Sequence, residues 1–149
     1  EVAVGYYAQE HDNLRTDKSL LDNLRADVPA GVIYTETQLR SFLGMMGLMG
    51  DKVFQESGTL SGGEKTKLSL AMLMVGRNNL LLLDEPTNNL DPPSRQSVAD
   101  ALSSWPGSII FVSHDAEFVE QLKPTKVLLM PDGEVDYFNE DWLELVSLA

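Results

Sequence analysis

The sequence predicts an α/β fold around a parallel sheet, and three observations lead there. Residues 80–83 are leucine at every position, as a strand buried on both faces requires. A second apolar run, 108–112, follows after one helix length, so strands and helices alternate beyond residue 60. Residues 12–75 instead carry helical periodicity and caps, which makes that segment mainly helical. The chain has 149 residues, of which 43% are hydrophobic and 23% charged, enough for one domain with a real core.

The elements follow in order. Residues 2–7 are apolar and aromatic and read as a short strand; 10–18 form a polar connection. Ser19 caps a short helix through Arg25, ended by Val28-Pro-Ala-Gly31. Thr35 and Gln38 have capping-box spacing ahead of the stripe Leu39, Phe42, Leu43 and Met46. Gly44, Gly47 and Gly50 then loosen the chain into a loop running to Leu60. A helix over 62–76 is apolar on both faces and is expected to be buried nearly all round. Asp91 caps and Pro92 starts the next helix, with the stripe Val98, Ala101, Leu102 and Trp105. After the strand at 108–112 comes a helix over 115–122. A hairpin of 127–130 and 135–138 then closes on Pro131-Asp-Gly133. Asn139 caps a last helix carrying Trp142, Leu145 and Val146. Asp132, Glu134, Asp136, Glu140, Asp141 and Glu144 make this end a solvated acidic face.

Composition narrows the function. The net charge of −12 argues against gripping a nucleic-acid backbone by bulk charge. Cysteine is absent, which excludes disulfides and thiolate metal sites. Wholly apolar runs such as 71–75 fall far short of the roughly 20 residues of a membrane helix. The start Glu1-Val-Ala-Val-Gly5 is neither a Met start nor a secretory signal, and suggests a piece of a longer chain.

The run Leu80-Leu-Leu-Leu-Asp-Glu-Pro86 ends a strand in two carboxylates, where open parallel sheets bind ligands. Phosphoryl transfer needs a carboxylate to hold Mg²⁺ and a group to orient or deprotonate the attacking water. Asp84 suits the first task and Glu85 the second. An acidic strand end capping the following turn suits the same dipeptide. In Leu60-Ser-Gly-Gly-Glu64, the Ser61 hydroxyl and the unobstructed N–H groups at Gly62 and Gly63 open a helix, a ready anion site. Ser61 with Glu64 is also an ordinary capping box, and both readings hold together. The stretch 58–66 comes near the phosphate-loop pattern GxxxxGK[ST]. However, Glu64 intrudes before Lys65, no buried strand precedes it, and no other stretch matches. His114, at the end of the 109–113 strand, can donate to a phosphate oxygen, though a lone His is as readily structural. Gln9 ends the first strand, and His11 is read as a surface residue.

Taken in order, Gln9, Leu60-Ser-Gly-Gly-Glu64, Leu80 to Pro86, Asn88-Asn-Leu-Asp91 and His114 resemble an ATP-binding-cassette (ABC) ATPase from its Q-loop to its C-terminus. The resemblance spans essentially the whole chain. Within that superfamily the chain is similar to the ABC-F proteins, soluble tandem-cassette ATPases that act on the ribosome. The details are Glu64 where transporters more often have Gln, the run Ser61-Gly-Gly-Glu-Lys-Thr66, and Asp84-Glu-Pro-Thr-Asn-Asn-Leu-Asp91. Asn89 departs from the usual His, as occurs in second cassettes. The ending 141–149, with no basic linker helix after it, resembles the second, C-terminal cassette.

The resemblance implies a partial P-loop NTPase fold whose Walker A strand is missing. Residues 1–9 are then the Q-loop strand, 10–76 the helical subdomain with the signature motif, and 77–149 the Walker B, D-loop and His-switch core with a terminal hairpin and helix. It implies ATP and Mg²⁺ as ligands. Asp84 helps place Mg²⁺ through water, Gln9 bridges Mg²⁺ and water, Glu85 is the general base, and His114 contacts the γ-phosphate. Ser61, Gly62 and Gly63 face the nucleotide held mainly by the other cassette, and Asp91 lies in the D-loop. The missing strand is expected between 109–113 and 127–130, leaving exposed edges prone to self-association. Without a phosphate loop these residues alone are expected neither to bind ATP appreciably nor to hydrolyse it. The implied partners are the other cassette and a ribosome contacted through other regions, in the cytoplasm. A membrane transporter's cassette would keep every catalytic residue but dock a membrane partner around the Gln9 region. The head segment of an SMC-type chromosome protein shares the signature but is opposed by Gln9 and by Pro86-Thr-Asn-Asn89. A purely structural domain is opposed by the five ordered motifs.

Overall fold

The structure, a computed structural model, describes residues 1–8 and 11–149. Three parallel strands, β1 (Val4–Tyr7), β2 (Leu80–Asp84) and β3 (Ser108–Val112), form a sheet in the order β1-β2-β3. The register sets Leu81 between Gly5 and Ile109, and Asp84 opposite Val112. The all-leucine run takes the centre because only an apolar strand tolerates neighbours on both edges and cover on a face; Leu81 and Leu83 are fully buried. Gly5 is required beside it, since a Cβ there would lie 2.7 Å from the Asn78 amide nitrogen.

Residues 12–75 are mainly helical, as expected: α1 (Leu20–Ala26), α2 (Glu36–Met45) and α3 (Gly62–Val75), with two 3-10 helices, Gly50–Phe54 and Ser57–Thr59. Both predicted capping boxes are present, at Thr35 with Gln38 and at Ser61 with Glu64. Helix α3 is the spine of this part. Leu68, Leu70, Ala71, Met72 and Val75 are all but inaccessible, each leucine worth about 2 kcal/mol of burial. The expected loop at 47–60 is more ordered than its glycines suggest. Gly47 and Gly50 turn the chain through positive φ, and buried Leu48 and Val53 pin the result to the core.

A buried amide ties the entry to this part to its exit. Asn23 is inaccessible, and its amide group donates to the carbonyls of Arg15 and Ser19 at 3.0 Å and to Ser57 Oγ at 3.1 Å. Its Oδ1 accepts from the Arg15 N–H at 2.8 Å, and Ser57 Oγ donates to the Arg15 carbonyl. Ser57 N–H to Lys18 and Gly58 N–H to Thr16 complete a backbone seam between 15–20 and 55–58.

Downstream lie α4 (Pro92–Ser104), α5 (Ala116–Leu122) and the antiparallel hairpin β4 (Lys126–Leu129) and β5 (Glu134–Tyr137), followed by α6 (Trp142–Leu148). The α4 stripe is buried at Val98, Ala101 and Leu102, while Trp105 caps the helix half-exposed. Among the described residues, β3 pairs with β2 alone and β4 with β5 alone, and Ile110, Val112 and Leu128 are exposed. One cap differs from expectation. Asn139 does not cap α6; its Oδ1 accepts from Asp141 N–H at 2.9 Å in a turn that leads into the helix. The α6 stripe is correspondingly shallow, with Trp142 and Val146 half-buried and Leu145 exposed.

The Asn23 network makes a stability prediction. Asn23→Ala strands several buried carbonyl and N–H groups and is expected to cost about 2 kcal/mol or more, read as a lower urea midpoint.

Candidate functional site

Strand β2 runs one residue past its last leucine into exposed Asp84 and then breaks. The Glu85 N–H donates to the Val112 carbonyl at 2.9 Å, the final bond along β3. Its φ of +49° then reverses the chain, a conformation costing about 1–2 kcal/mol for a residue with a Cβ. The Glu85 side chain reaches the end of β3. Oε2 accepts from the His114 backbone N–H at 3.3 Å, and Oε1 lies 3.1 Å from His114 Nε2. That second contact is close enough for an ion pair but misaligned for a hydrogen bond, so Oε1 is a buried acceptor without a donor among the described residues. The Glu85 side chain is 13% exposed, and that of His114 is 59% exposed and faces solvent. The structure thus brings Glu85 and His114, which the sequence reading named separately, together at the ends of adjacent strands.

The following turn is shared by two clefts. The Thr87–Asp91 region leads into α4, whose N-cap Asp91 accepts from Ser94 N–H at 2.9 Å, with Pro92 and Pro93 in the first turn. Glu85, Thr87, Asn88, Leu90 and His114 line one cleft of about 530 Å³, and Arg95 bonds Asp115 across it at 3.1 Å. Asn89 and Asp91 face the other, a cleft of about 690 Å³ lined also by Ser61, Gly62, Gly63, Glu64 and Lys67. Gly63 allows the two walls to meet, since a Cβ on it would stand 2.7 Å from the Asn89 carbonyl oxygen. Lys67 Nζ donates to Ser94 Oγ at 3.3 Å and joins α3 to α4.

At the start of α3, Ser61 Oγ accepts from Glu64 N–H at 3.2 Å, and Glu64 Oε1 accepts from Ser61 N–H at 3.1 Å. The Ser61 hydroxyl proton stays free to donate into the cleft, beside the open N-terminal N–H groups. Burial raises the affinity of Glu64 for a proton, but the Lys52 ammonium and the Ser61 bonds together outweigh it and hold the carboxyl below its usual range.

Several residues differ from the sequence reading or were missed by it. Gln9 lies outside the described residues. His11, expected at the surface, is half-buried beside the Tyr7 ring; burial first, then Lys65, lowers its pKa. Tyr7 is buried and bonded to Thr66 Oγ1 at 3.1 Å. Since Thr66 spends its only proton on the Gly62 carbonyl, Tyr7 is the donor, and the bond ties β1 to the first turn of α3. Lys52 was also missed, because its partner lies twelve residues away. Among the described residues no cluster of three or more His, Cys, Asp or Glu could hold a metal ion. Asp84, exposed at the strand end, fits a cation such as Mg²⁺ that takes one or two carboxylates and completes its shell with water and phosphate.

Asp91 supplies a pH test. Its pKa is lowered from 3.8 by the hydrogen bonds from the Ser94 side chain and backbone. A lowered folded-state value stabilises the cap above the unfolded value, and the effect is lost as pH falls through the folded one. A carboxyl-detected NMR titration is expected to place Asp91 below 3.8, and Ser94→Ala is expected to move it upward.

Comparison with known proteins gives the family and the fold. The model of the family described as ABC transporter matches residues 1–88. YdiF of Bacillus subtilis (strain 168), named as an ATP-binding protein, is 40% identical over 154 residues, covering 99% of this chain and 23% of YdiF. A relative from Encephalitozoon cuniculi, named "Probable ATP-binding cassette sub-family F member 3 homolog", is 39% identical over 142 residues, 95% of this chain and 24% of the relative. The chain therefore spans about a quarter of the length of these relatives. A dimeric structure of the ATP-binding cassette MJ0796, in a post-hydrolysis state bound to ADP and Pi, superposes with a TM-score of 0.76 at 18% identity. The match covers 93% of this chain and 64% of that one, and it shows a shared fold. The α/β architecture is that of an ABC cassette, and the chain belongs to the ABC transporter family.

Proposed function

We propose that this chain supplies the Walker B, D-loop, His-switch and signature parts of an ATP-hydrolysing cassette in an ABC-F protein acting on the ribosome. The observation that carries the ATPase reading is the single turn 87–91, which brings the Glu85–His114 pair and the Ser61–Gly63 helix start to its two sides. The sub-family F name of a 39% identical relative supports the finer assignment, as do Glu64 and the Asn88-Asn-Leu-Asp91 text.

In this reading Asp84 and Gln9 would help hold Mg²⁺ through water, and the bound ion would supply neutralisation of charge on the phosphates. The unsatisfied Oε1 of Glu85 takes a proton from the attacking water as its oxygen bonds the γ-phosphorus, and the bond to the β,γ-bridging oxygen breaks to leave ADP and phosphate. His114 donates to the γ-phosphate. Ser61, Gly62 and Gly63 contact the γ-phosphate of a nucleotide held mainly by a second cassette, so ATP joins two cassettes and hydrolysis releases them. Asp91 in the D-loop connects the two sites. Residues 1–149 hold no phosphate loop, so by themselves they neither bind ATP appreciably nor turn it over. In this reading the protein works in the cytoplasm, where an ABC-F protein meets the ribosome.

The test uses Glu85→Gln in the full-length gene product. Hydrolysis is expected to fall by about 100-fold or more while ATP binding persists, and the ATP-bound protein is expected to sediment with ribosomes. Undiminished hydrolysis would remove Glu85 from the reaction, and ATP-dependent migration with membranes would reassign the chain to a transporter cassette.

A further inference from the structure

We propose that Lys52 is a positioning residue for the Ser61 cleft: its ammonium is the counter-ion that lets the Glu64 carboxylate orient Ser61 without opposing an incoming phosphate. The proposal rests on the reading of that cleft as a γ-phosphate contact. Its basis is the pairing of Lys52 Nζ with Glu64 Oε2, while Oε1 of the same carboxylate holds the Ser61 N–H. One side chain thus answers to a cation on one oxygen and to the helix start on the other.

The pairing is built by tertiary structure, not by helix spacing. Lys52 sits in the 3-10 helix Gly50–Phe54, which Val53 anchors in the core and the Arg40 guanidinium covers by stacking 5.0 Å over the Phe54 ring. The side chains of Lys52 and Glu64 are 33% and 24% exposed, so the pair is partly shielded from water, and Glu64 itself lines the cleft. The charged side chains lining that cleft are Glu64, Asp91 and Lys67, with Lys67 already engaged to Ser94. Two carboxylates against one ammonium is a poor lining for a polyanion; Lys52 brings the balance level. Removing it leaves Glu64 bonded to Ser61 as an uncompensated charge within reach of the phosphate.

Steady-state ATP hydrolysis by the full-length protein tests this with K52M, K52R, K52M/E64Q and S61A. K52M is expected to raise KM for ATP roughly five- to tenfold with kcat changed less than about twofold, a defect that shrinks as salt screens the charge. K52R is expected to recover the loss by keeping the cation. K52M/E64Q is expected to recover it by removing the charge that needed one while keeping the acceptor for Ser61. An unchanged KM in K52M, or a double variant no better than K52M, overturns the proposal if S61A still weakens ATP use. If S61A itself leaves both KM and kcat unchanged, the reading of the cleft fails, whatever Lys52 does.

Discussion

The bond from Glu85 N–H to the Val112 carbonyl is the last rung of β2 against β3, and the site depends on where that ladder stops. Up to Asp84 the chain is still a strand paired with β3; at Glu85 it reverses through a positive φ. The reversal carries the Glu85 carboxylate across the end of β3 to His114 and starts the turn toward α4. Its conformational cost is small beside the burial of Leu81 and Leu83. With leucine at every position from 80 to 83, a slip of one residue would still bury leucine; what it would displace is Asp84 from its exposed place and the Glu85 carboxylate from His114.

The same turn explains how the helical part and the sheet part of one cassette are joined between two clefts. Gly63 accepts the Asn89 carbonyl at a distance no side chain would permit, Lys67 reaches Ser94, and Tyr7 bonds Thr66 at the other end of the contact. The start of α3 is therefore held to β1, to the 87–91 turn and to α4, with the Tyr7–Thr66 bond buried and the other two contacts part-exposed. A shift at the end of β2 reaches Ser61 through these contacts. In the account proposed here, that rigidity is what lets loss of a γ-phosphate at one surface loosen the other.

Features encoded locally were legible in the sequence. The leucine run ending in Asp84 and Glu85, the capping boxes at Thr35 and Ser61, and the Asp91 cap with its prolines all follow from neighbours within four residues. The residues that tune the site were not legible, because their partners are far along the chain. Lys52 looks like a surface lysine until Val53 is seen to bury, and Tyr7 looks like an ordinary strand residue until Thr66 meets it. Residues 47–60 read as a loop from their glycines, yet Leu48 and Val53 are the anchors that turn it into packed 3-10 structure. Asn139 and His11 show the same limit, since side-chain chemistry proposes a cap or a surface position and tertiary packing decides.

The central claim is that the two clefts beside the 87–91 turn work as one unit. Amide hydrogen exchange on the full-length protein, with and without Mg-ATP, tests it most directly. The account predicts that residues 61–64 and 88–91 gain protection together with 113–115, because each side of the turn then grips the γ-phosphate of a different nucleotide as two cassettes close. Protection confined to 113–115, with the start of α3 exchanging as freely as before, would contradict it.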